Sequence, residues 1–303
     1  MNNMDTRLLF QHLDKQLVTV KDDTLMAFTK VLQDRFGASL RSIIFYGSCL
    51  RSRKYEDAML DFYAIVDNYQ RAYDSKRQAL LNSCLAPNVY FQTVEVDGVK
   101  VQAKYAVLST KDLLLQTSAR AYHSYFWARF AQPFALAYHA DEQARAQAIQ
   151  AQVNSVATIY SKTIGLFDSL PSAQEFWVGA LQKTYSAELR AESKLRAGSI
   201  YSSNQSHYDA VFSKLLKAGV MVPSHVSRWT VWNWVVRAAW GKVLSILRLL
   251  KAVSTFENGV DYLAWKIERH SGVHVEINDR HRKHPFLYCW PMLWRLWRKG
   301  AVQ

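Results

Sequence analysis

The stretch from Ser42 to Asp67, SIIFYGSCLRSRKYEDAMLDFYAIVD, constrains the fold more than any other part of this chain. An apolar run from Ile43 to Tyr46 meets a Gly47-Ser48 turn, then a basic loop, then a second apolar run from Leu60 to Val66 that carries Asp61. Short runs rich in Ile, Phe, Tyr and Val read as neighbouring strands, and period-two alternation places Asp61, Tyr63 and Ile65 on one face. Glycine lets the backbone turn closely around a phosphate, and serine offers that phosphate a hydroxyl and an amide. A carboxylate on the next strand can hold a divalent cation beside it. Gly47, Ser48 and Asp61 are therefore a candidate phosphate site, and the order of these parts along the chain is more informative than any one of them.

A chain of 303 residues can bury a sizeable core and favours two domains over one; with half its residues apolar it is not a disordered protein. Its three cysteines, Cys49, Cys84 and Cys289, are too few and too scattered for a disulfide framework or a four-ligand zinc site. Reduced thiols in a cytoplasmic setting are the expectation. The first residues, MNNMDTRLLFQHLD, contain acidic groups and no uninterrupted apolar core, so no secretory or transit signal is read there. No run of about 18 uncharged apolar residues predicts a membrane-spanning helix.

The net charge of +13 asks for an anionic partner, and its distribution narrows the choice. From Arg228 onward there are 13 Lys and Arg against five Asp and Glu, together with eight of the ten tryptophans. Indole settles at the headgroup boundary of a bilayer while Lys and Arg meet lipid phosphates, so an anionic membrane surface, reached peripherally from its inner face, is the expected partner. Nucleic acid attracts the same charge and is the lesser candidate. Trp229 and Trp232, with Trp294, Arg295, Trp297 and Arg298, are the residues expected to dock.

Along the chain, apolar spacing predicts two helices in the first 40 residues, ending at Gly37. A helix over Tyr69 to Leu81 follows the second strand. Asp97-Gly98 between two alternating runs predicts a hairpin whose second strand puts Lys100, Gln102 and Lys104 on one face. Ser109 reads as a helix cap, and a further helix carrying Tyr122, Tyr125, Phe126 and Arg129 ends at Pro133. Beyond about residue 140 the composition turns to Ala- and Gln-rich helix, with helices expected over 145–168, 172–194 and 206–218 and a strand over Val273–Ile277. The predicted organisation is α+β: a mixed sheet with flanking helices over 1–145, a helical, winged-helix-like domain over 146–222, and a basic, Trp-rich amphipathic region over 223–303.

Five ordered segments resemble one family, the mitochondrial-type CDP-diacylglycerol synthases of the nucleotidyltransferase superfamily, also described as translocator assembly and maintenance proteins. FYGS at 45–48 is similar to their YGSG motif, and MLDF at 59–62 to their M-[IV]-D-[FL]. NVYF at 88–91 with AKYAVLS at 103–109, SYFWARFAQP at 124–133 and TYSAELR at 184–190 resemble further family segments. The likeness covers about residues 40 to 215. This chain departs from the pattern at Cys49, Ala106 and Ala128, which stand for glycines, and at Glu188, which stands for an aspartate. It has a single rather than a paired carboxylate in the second strand, with Tyr63 at the second position.

The resemblance implies a mixed nucleotidyltransferase-like sheet and a cytidylyltransferase that joins CTP to phosphatidate with magnesium. It implies that Gly47, Ser48, Lys104 and Arg129 hold the nucleotide, and that Asp61 holds the metal. The metal's second carboxylate is expected from Glu188 on the resemblance, or from Glu95 on strand geometry. Arg51, Arg53 and Arg190 are candidates for the lipid phosphate or pyrophosphate. A nucleotidyltransferase with an RNA or metabolite acceptor, or an inactive relative binding anionic lipid or RNA, are the alternatives.

Overall fold

The computed structural model describes residues 6–20, 22–52, 55, 58–188, 193–218, 225–255 and 277–280. Two amphipathic helices, α1 (Arg7–Gln16) and α2 (Asp23–Phe36), precede the sheet, and α2 starts where the Asp22 carboxylate accepts from the amides of Thr24 and Leu25. Their apolar positions bury Leu9 and Leu13 from one, and Leu25, Phe28, Leu32 and Phe36 from the other. Between them lies a two-residue strand, β1 (Val18–Thr19), too short for a sequence pattern to announce.

The sheet is mixed and, among the described residues, six-stranded, in the order β1-β6-β2-β3-β5-β4. Strand β2 (Leu40–Tyr46) runs antiparallel to β3 (Met59–Val66), which runs parallel to β5 (Val99–Ser109). Strand β4 (Asn88–Val96) pairs with β5 through the expected hairpin, and both turn residues, Asp97 and Gly98, have positive φ (51° and 77°) as a tight two-residue turn demands. Strand β6 (Ala135–His139) fills the space between β2 and β1, and FALAYH gave no alternation by which to foresee it.

Two expected helices are broken. The one over Tyr69 to Leu81 is two pieces, α4 (Tyr69–Ala72) and α5 (Lys76–Cys84), because Asn68 and Ser75 each accept from a backbone amide and start a helix. The one expected to carry Tyr122 through Arg129 is only the single turn α7 (Trp127–Phe130), reached by turns from α6 (Thr110–Thr117), which Ser109 caps as expected.

The remaining described elements are helical: α8 (Glu142–Thr163), α9 (Ala173–Ser186), α10 (Ser193–Ser203), α11 (Gln205–Lys217) and α12 (Arg228–Thr255). The helix expected over 172–194 ends at Ser186, and no strand follows β6 among the described residues. Most of the expected strand over Val273–Ile277 lies outside the described residues. Helix α8 serves both halves: Ala148 and Ala151 pack on one sheet face with Ile44, Tyr63 and Leu136, while Val153, Val156 and Tyr160 join a helical core with Trp177 and Tyr208. Leu9 and Leu13 of α1 belong to that helical core too, so the N-terminal segment crosses between layers. The α+β architecture expected from sequence, a mixed sheet with flanking helices followed by a helical part, is what the structure shows.

Helix α12 reverses the usual amphipathic arrangement. Its inner stripe, at spacings of three and four, is Trp234, Arg237, Gly241, Leu244, Arg248 and Lys251. Arg237 Nε donates to the Tyr122 carbonyl (2.8 Å) and its guanidinium lies 4.8 Å from the centre of the Trp234 ring. Arg248 Nε donates to the Ala86 carbonyl (2.9 Å), and Lys251 Nζ donates to the carbonyls of Pro87 (2.8 Å) and Leu85. Burial pushes the Lys251 ammonium down to about 7. Gly241 is required here, because a Cβ would come within 2.3 Å of the Ala187 carbonyl oxygen. The outer stripe holds Trp229 (72% exposed), Trp232 (59%), Val235, Trp240, Val243 and Leu247. The structure buries Arg237, Arg248 and Lys251 against backbone carbonyls and aromatic rings, and leaves Trp229 and Trp232, two of the residues expected to dock, exposed. No helix among the described residues is long and apolar enough to cross a membrane.

Candidate functional site

Strand β2 ends at Tyr46 and the chain turns through Gly47 into the short helix α3 (Ser48–Ser52). Gly47 has φ +94°, and a Cβ built on it would lie 2.8 Å from Asp61 Oδ2. Only glycine takes this conformation without strain, and only glycine leaves room for the carboxylate. The close approach follows from register, since Asp61 pairs with Tyr46 across the β2/β3 ladder. On its other side Asp61 pairs with Lys104 of β5, and Lys104 Nζ lies 2.9 Å from Asp61 Oδ1. Asp61 is half-buried, and Ser48 stands exposed at the start of α3. Arg51, one turn along, donates from Nη1 to the Gly47 carbonyl (3.2 Å).

The structure thus joins Gly47, Ser48, Asp61, Lys104 and Arg51 at one end of the sheet. Cys49 is buried in the core behind them, its Sγ 3.4 Å from the Met59 carbonyl oxygen, and burial raises its thiol pKa. A thiol so held is a packing residue rather than a nucleophile. Asp67 is structural: it accepts from the Ser39 hydroxyl, the Asn68 amide (2.6 Å) and Arg71 (2.5 Å).

Arg129 and Glu188 meet each other rather than Asp61. Two parallel bonds join them, Nη1 to Oε1 at 2.8 Å and Nη2 to Oε2 at 2.9 Å, with both side chains over 90% buried. Burial alone would lower the Arg129 pKa, but Glu188 beside it holds the guanidinium well above its ordinary range. Tyr125 lies 3.9 Å under that guanidinium, and Arg248 of α12 sits 4.2 Å from the same ring. Two tyrosines separate this pair from Asp61. Tyr63 stacks on Tyr46 at 4.9 Å and lies tilted against Phe130 at 4.8 Å, and burial raises the pKa of both tyrosine hydroxyls. Tyr63, at the position of a second carboxylate, is therefore neutral and enclosed.

Glu95 does not reach Asp61 either. It pairs with Lys100, four residues before Lys104, which places it roughly 13 Å along β5 and about 10 Å across two strands from Asp61. Among the described residues no group of three His, Cys, Asp or Glu side chains could hold a metal. Among the described residues Asp61 is the carboxylate at the turn, and a cation held by it alone would take its other ligands from something bound. Arg53, Arg190, Trp294, Arg295, Trp297 and Arg298 lie outside the described residues. Sequence reading missed Tyr125 and Arg248 as partners of the Arg129–Glu188 pair, and the three-four spacing of α12 was the signal that could have found Arg248.

No family model matches this chain, and no curated protein matches it. Among solved structures it is similar to a nucleotidyltransferase-like protein from Exiguobacterium sibiricum 255-15, at 10% identity over 91% of this chain and 92% of that one, with a TM-score of 0.26.

Proposed function

We propose that this chain is a nucleotidyltransferase and, within that class, a cytidylyltransferase that forms CDP-diacylglycerol from CTP and phosphatidate. The observation that carries the class is the turn itself. Gly47 makes room for Asp61 while Lys104 neutralises it, leaving a carboxylate, an ammonium, a serine hydroxyl and the Arg51 guanidinium around one opening. The choice of CTP and phosphatidate rests on the sequence resemblance, whose segments converge in pairs: the first two at Gly47 and Asp61, the third at Lys104, the last two at Arg129 and Glu188.

In the proposed reaction a phosphatidate oxygen attacks the α-phosphorus of CTP, and the bond to the β-phosphate oxygen breaks to release pyrophosphate. A phosphomonoester dianion is already nucleophilic, so the protein's work is to align two anions and offset growing charge on the leaving group. Lys104 and Arg51 offer cations to the triphosphate, and Ser48 donates its hydroxyl. Arg129 and Glu188 act behind them by fixing α7 and the end of α9 against Tyr63. Magnesium commonly binds through one or two carboxylates plus substrate phosphates, so the donor set fits an ion shared with the nucleotide, held by Asp61. Bound there it would neutralise phosphate charge.

The lipid acceptor requires a bilayer, and the outer stripe of α12 supplies an apolar face with Trp229 and Trp232 stacked at 6.3 Å and Arg228 and Lys242 exposed beside it. We place the anionic membrane surface there. Incubating the protein with magnesium, phosphatidate vesicles and each labelled nucleoside triphosphate should label lipid with CTP alone. In the same tubes the protein should sediment with the vesicles, and the double variant Trp229→Ser/Trp232→Ser should stay in the supernatant. Label appearing in RNA or a soluble metabolite instead moves the acceptor. Binding to vesicles without any product favours the inactive reading that the enclosed Tyr63 suggests, and unchanged sedimentation of the double variant removes α12 from the membrane.

A further inference from the structure

A recess of about 290 Å³ opens beside the Gly47–Ser48 turn, on the side away from Asp61. Register places it: Ala135, at the start of β6, lines the recess and pairs with Phe45, two residues before Gly47, while β1 forms the far wall. Its size is close to the lower end for small-molecule sites, roughly 300 Å³. The same Arg51 that donates to the Gly47 carbonyl also lines the recess, so the recess and the phosphate turn share a side chain.

Its lining is mixed in a particular way. Phe134 and Tyr55 supply aromatic surface, and two carboxamides, Gln16 and Asn204, supply directional polar groups. His207 Nδ1 lies 3.0 Å from Gln16 Oε1, and burial pushes the His207 pKa down to about 4, so a neutral ring holds the carboxamide. Asn204 sits at the N-cap of α11, the position where its side chain would ordinarily accept from the helix, yet it makes no capping bond. Its Nδ2 donates to the Ile200 carbonyl (3.1 Å), so Asn204, which lines the recess, brings Oδ1 there as its acceptor.

We infer that this recess receives the nucleoside of the nucleotide whose phosphates lie on the Gly47–Ser48 turn, and that Asn204 selects a base carrying an exocyclic amine. The inference rests on the nucleotidyltransferase reading. Aromatic surface accommodates the face of any base, whereas a fixed acceptor separates an amino group from a carbonyl at the same ring position. Cytosine presents the amine where uracil presents an oxygen, so CTP is accepted and UTP is opposed by two facing acceptors. Gln16, whose Oε1 is taken up by His207, offers its Nε2 as a donor to the remaining edge.

Binding of CTP, UTP and inorganic tripolyphosphate, each with magnesium, separates this inference from the reading beneath it. The wild-type chain should bind CTP about tenfold more tightly than UTP, the worth of one hydrogen bond of about 1.4 kcal/mol. Asn204→Ala should erase that preference and leave tripolyphosphate binding unchanged. Ser203→Phe, placed at the exposed rim of the recess, should weaken both nucleotides and spare tripolyphosphate, which guards against a folding defect in the first variant. Equal affinity for CTP and UTP, or a preference that survives Asn204→Ala, overturns the nucleoside assignment while phosphate binding stands. A wild-type chain that binds neither nucleotide nor tripolyphosphate overturns the nucleotidyltransferase reading, and the recess assignment with it.

Discussion

Glu188→Ala is expected to destabilise the protein by about 3–5 kcal/mol, the cost of leaving a buried charge without its partner. Arg129 is 9% exposed and its guanidinium is bidentate to Glu188, so alanine leaves both Nη groups without that carboxylate. Two features of the surroundings make the loss larger rather than smaller. Arg248 shares the Tyr125 ring with Arg129, so removing the carboxylate leaves two guanidinium groups in one buried cluster. Gly241 packs α12 onto the Ala187 carbonyl, one residue before the change, so relaxation there disturbs the seat of α12. A double change, Arg129→Met with Glu188→Leu, removes both charges and should recover most of the stability. Urea unfolding of the three proteins reads this directly. A single variant within about 1 kcal/mol of the wild type, the span of a solvent-exposed pair, would show that the bridge is not buried in solution.

Gly47→Ala is the second large effect, and it should strike activity far more than stability. A non-glycine residue at φ +94° costs about 1–2 kcal/mol in backbone strain. The added Cβ also falls 2.8 Å from Asp61 Oδ2, so the Asp61 carboxylate must shift from the position in which it meets Lys104. Displacement of a reacting group by about 1 Å can cost 100-fold in rate. The expected result is a turnover loss of about that size with a melting temperature lowered by only a few degrees. Activity retained in Gly47→Ala would remove Asp61 from the reacting centre.

Much of this arrangement is readable from the chain because local chemistry and global fold agree there. The Gly-Ser turn, its two strands and the Asp97-Gly98 hairpin each follow from period-two alternation bounded by residues that tolerate positive φ. Placing Asp61 beside both Gly47 and Lys104 needed long-range pairing: β5 lies parallel to β3 although some 30 residues separate them, and no local pattern specifies that. The roles of Arg129 and Glu188 were out of reach for the same reason, since 59 residues part them and each alone reads as a ligand. The inner face of helix α12 was illegible for a different cause. Hydrophobic periodicity assumes that apolar residues face inward, and here Arg237, Arg248 and Lys251 face inward because backbone carbonyls and aromatic rings receive them. Cys49 shows the converse. It stands where the family pattern has a glycine, yet it is the second residue of α3 and packs inward, so Gly47 alone carries the turn.

The charge around the turn also bears on what can bind. Lys104 and Arg51 face the opening with Asp61 between them, and the neutral Tyr46–Tyr63 stack closes it from behind. Among the described residues an anion approaching this turn meets two cations, Lys104 and Arg51, against one carboxylate, and a cation reaches Asp61 in competition with Lys104. That competition makes the carboxylate the residue on which the whole reading depends.

The most direct measurement is therefore pyrophosphate release by the wild-type chain and by Asp61→Asn, with CTP, magnesium and phosphatidate vesicles, at matched folded fractions. Asn keeps the size and loses the charge, so the fold should persist. The account predicts lipid-dependent release by the wild type and a fall of about 100- to 1,000-fold in the variant, the range for losing one charge-stabilising group at a reacting centre. Equal release by both proteins, or no release by the wild type with any nucleoside triphosphate, would contradict it.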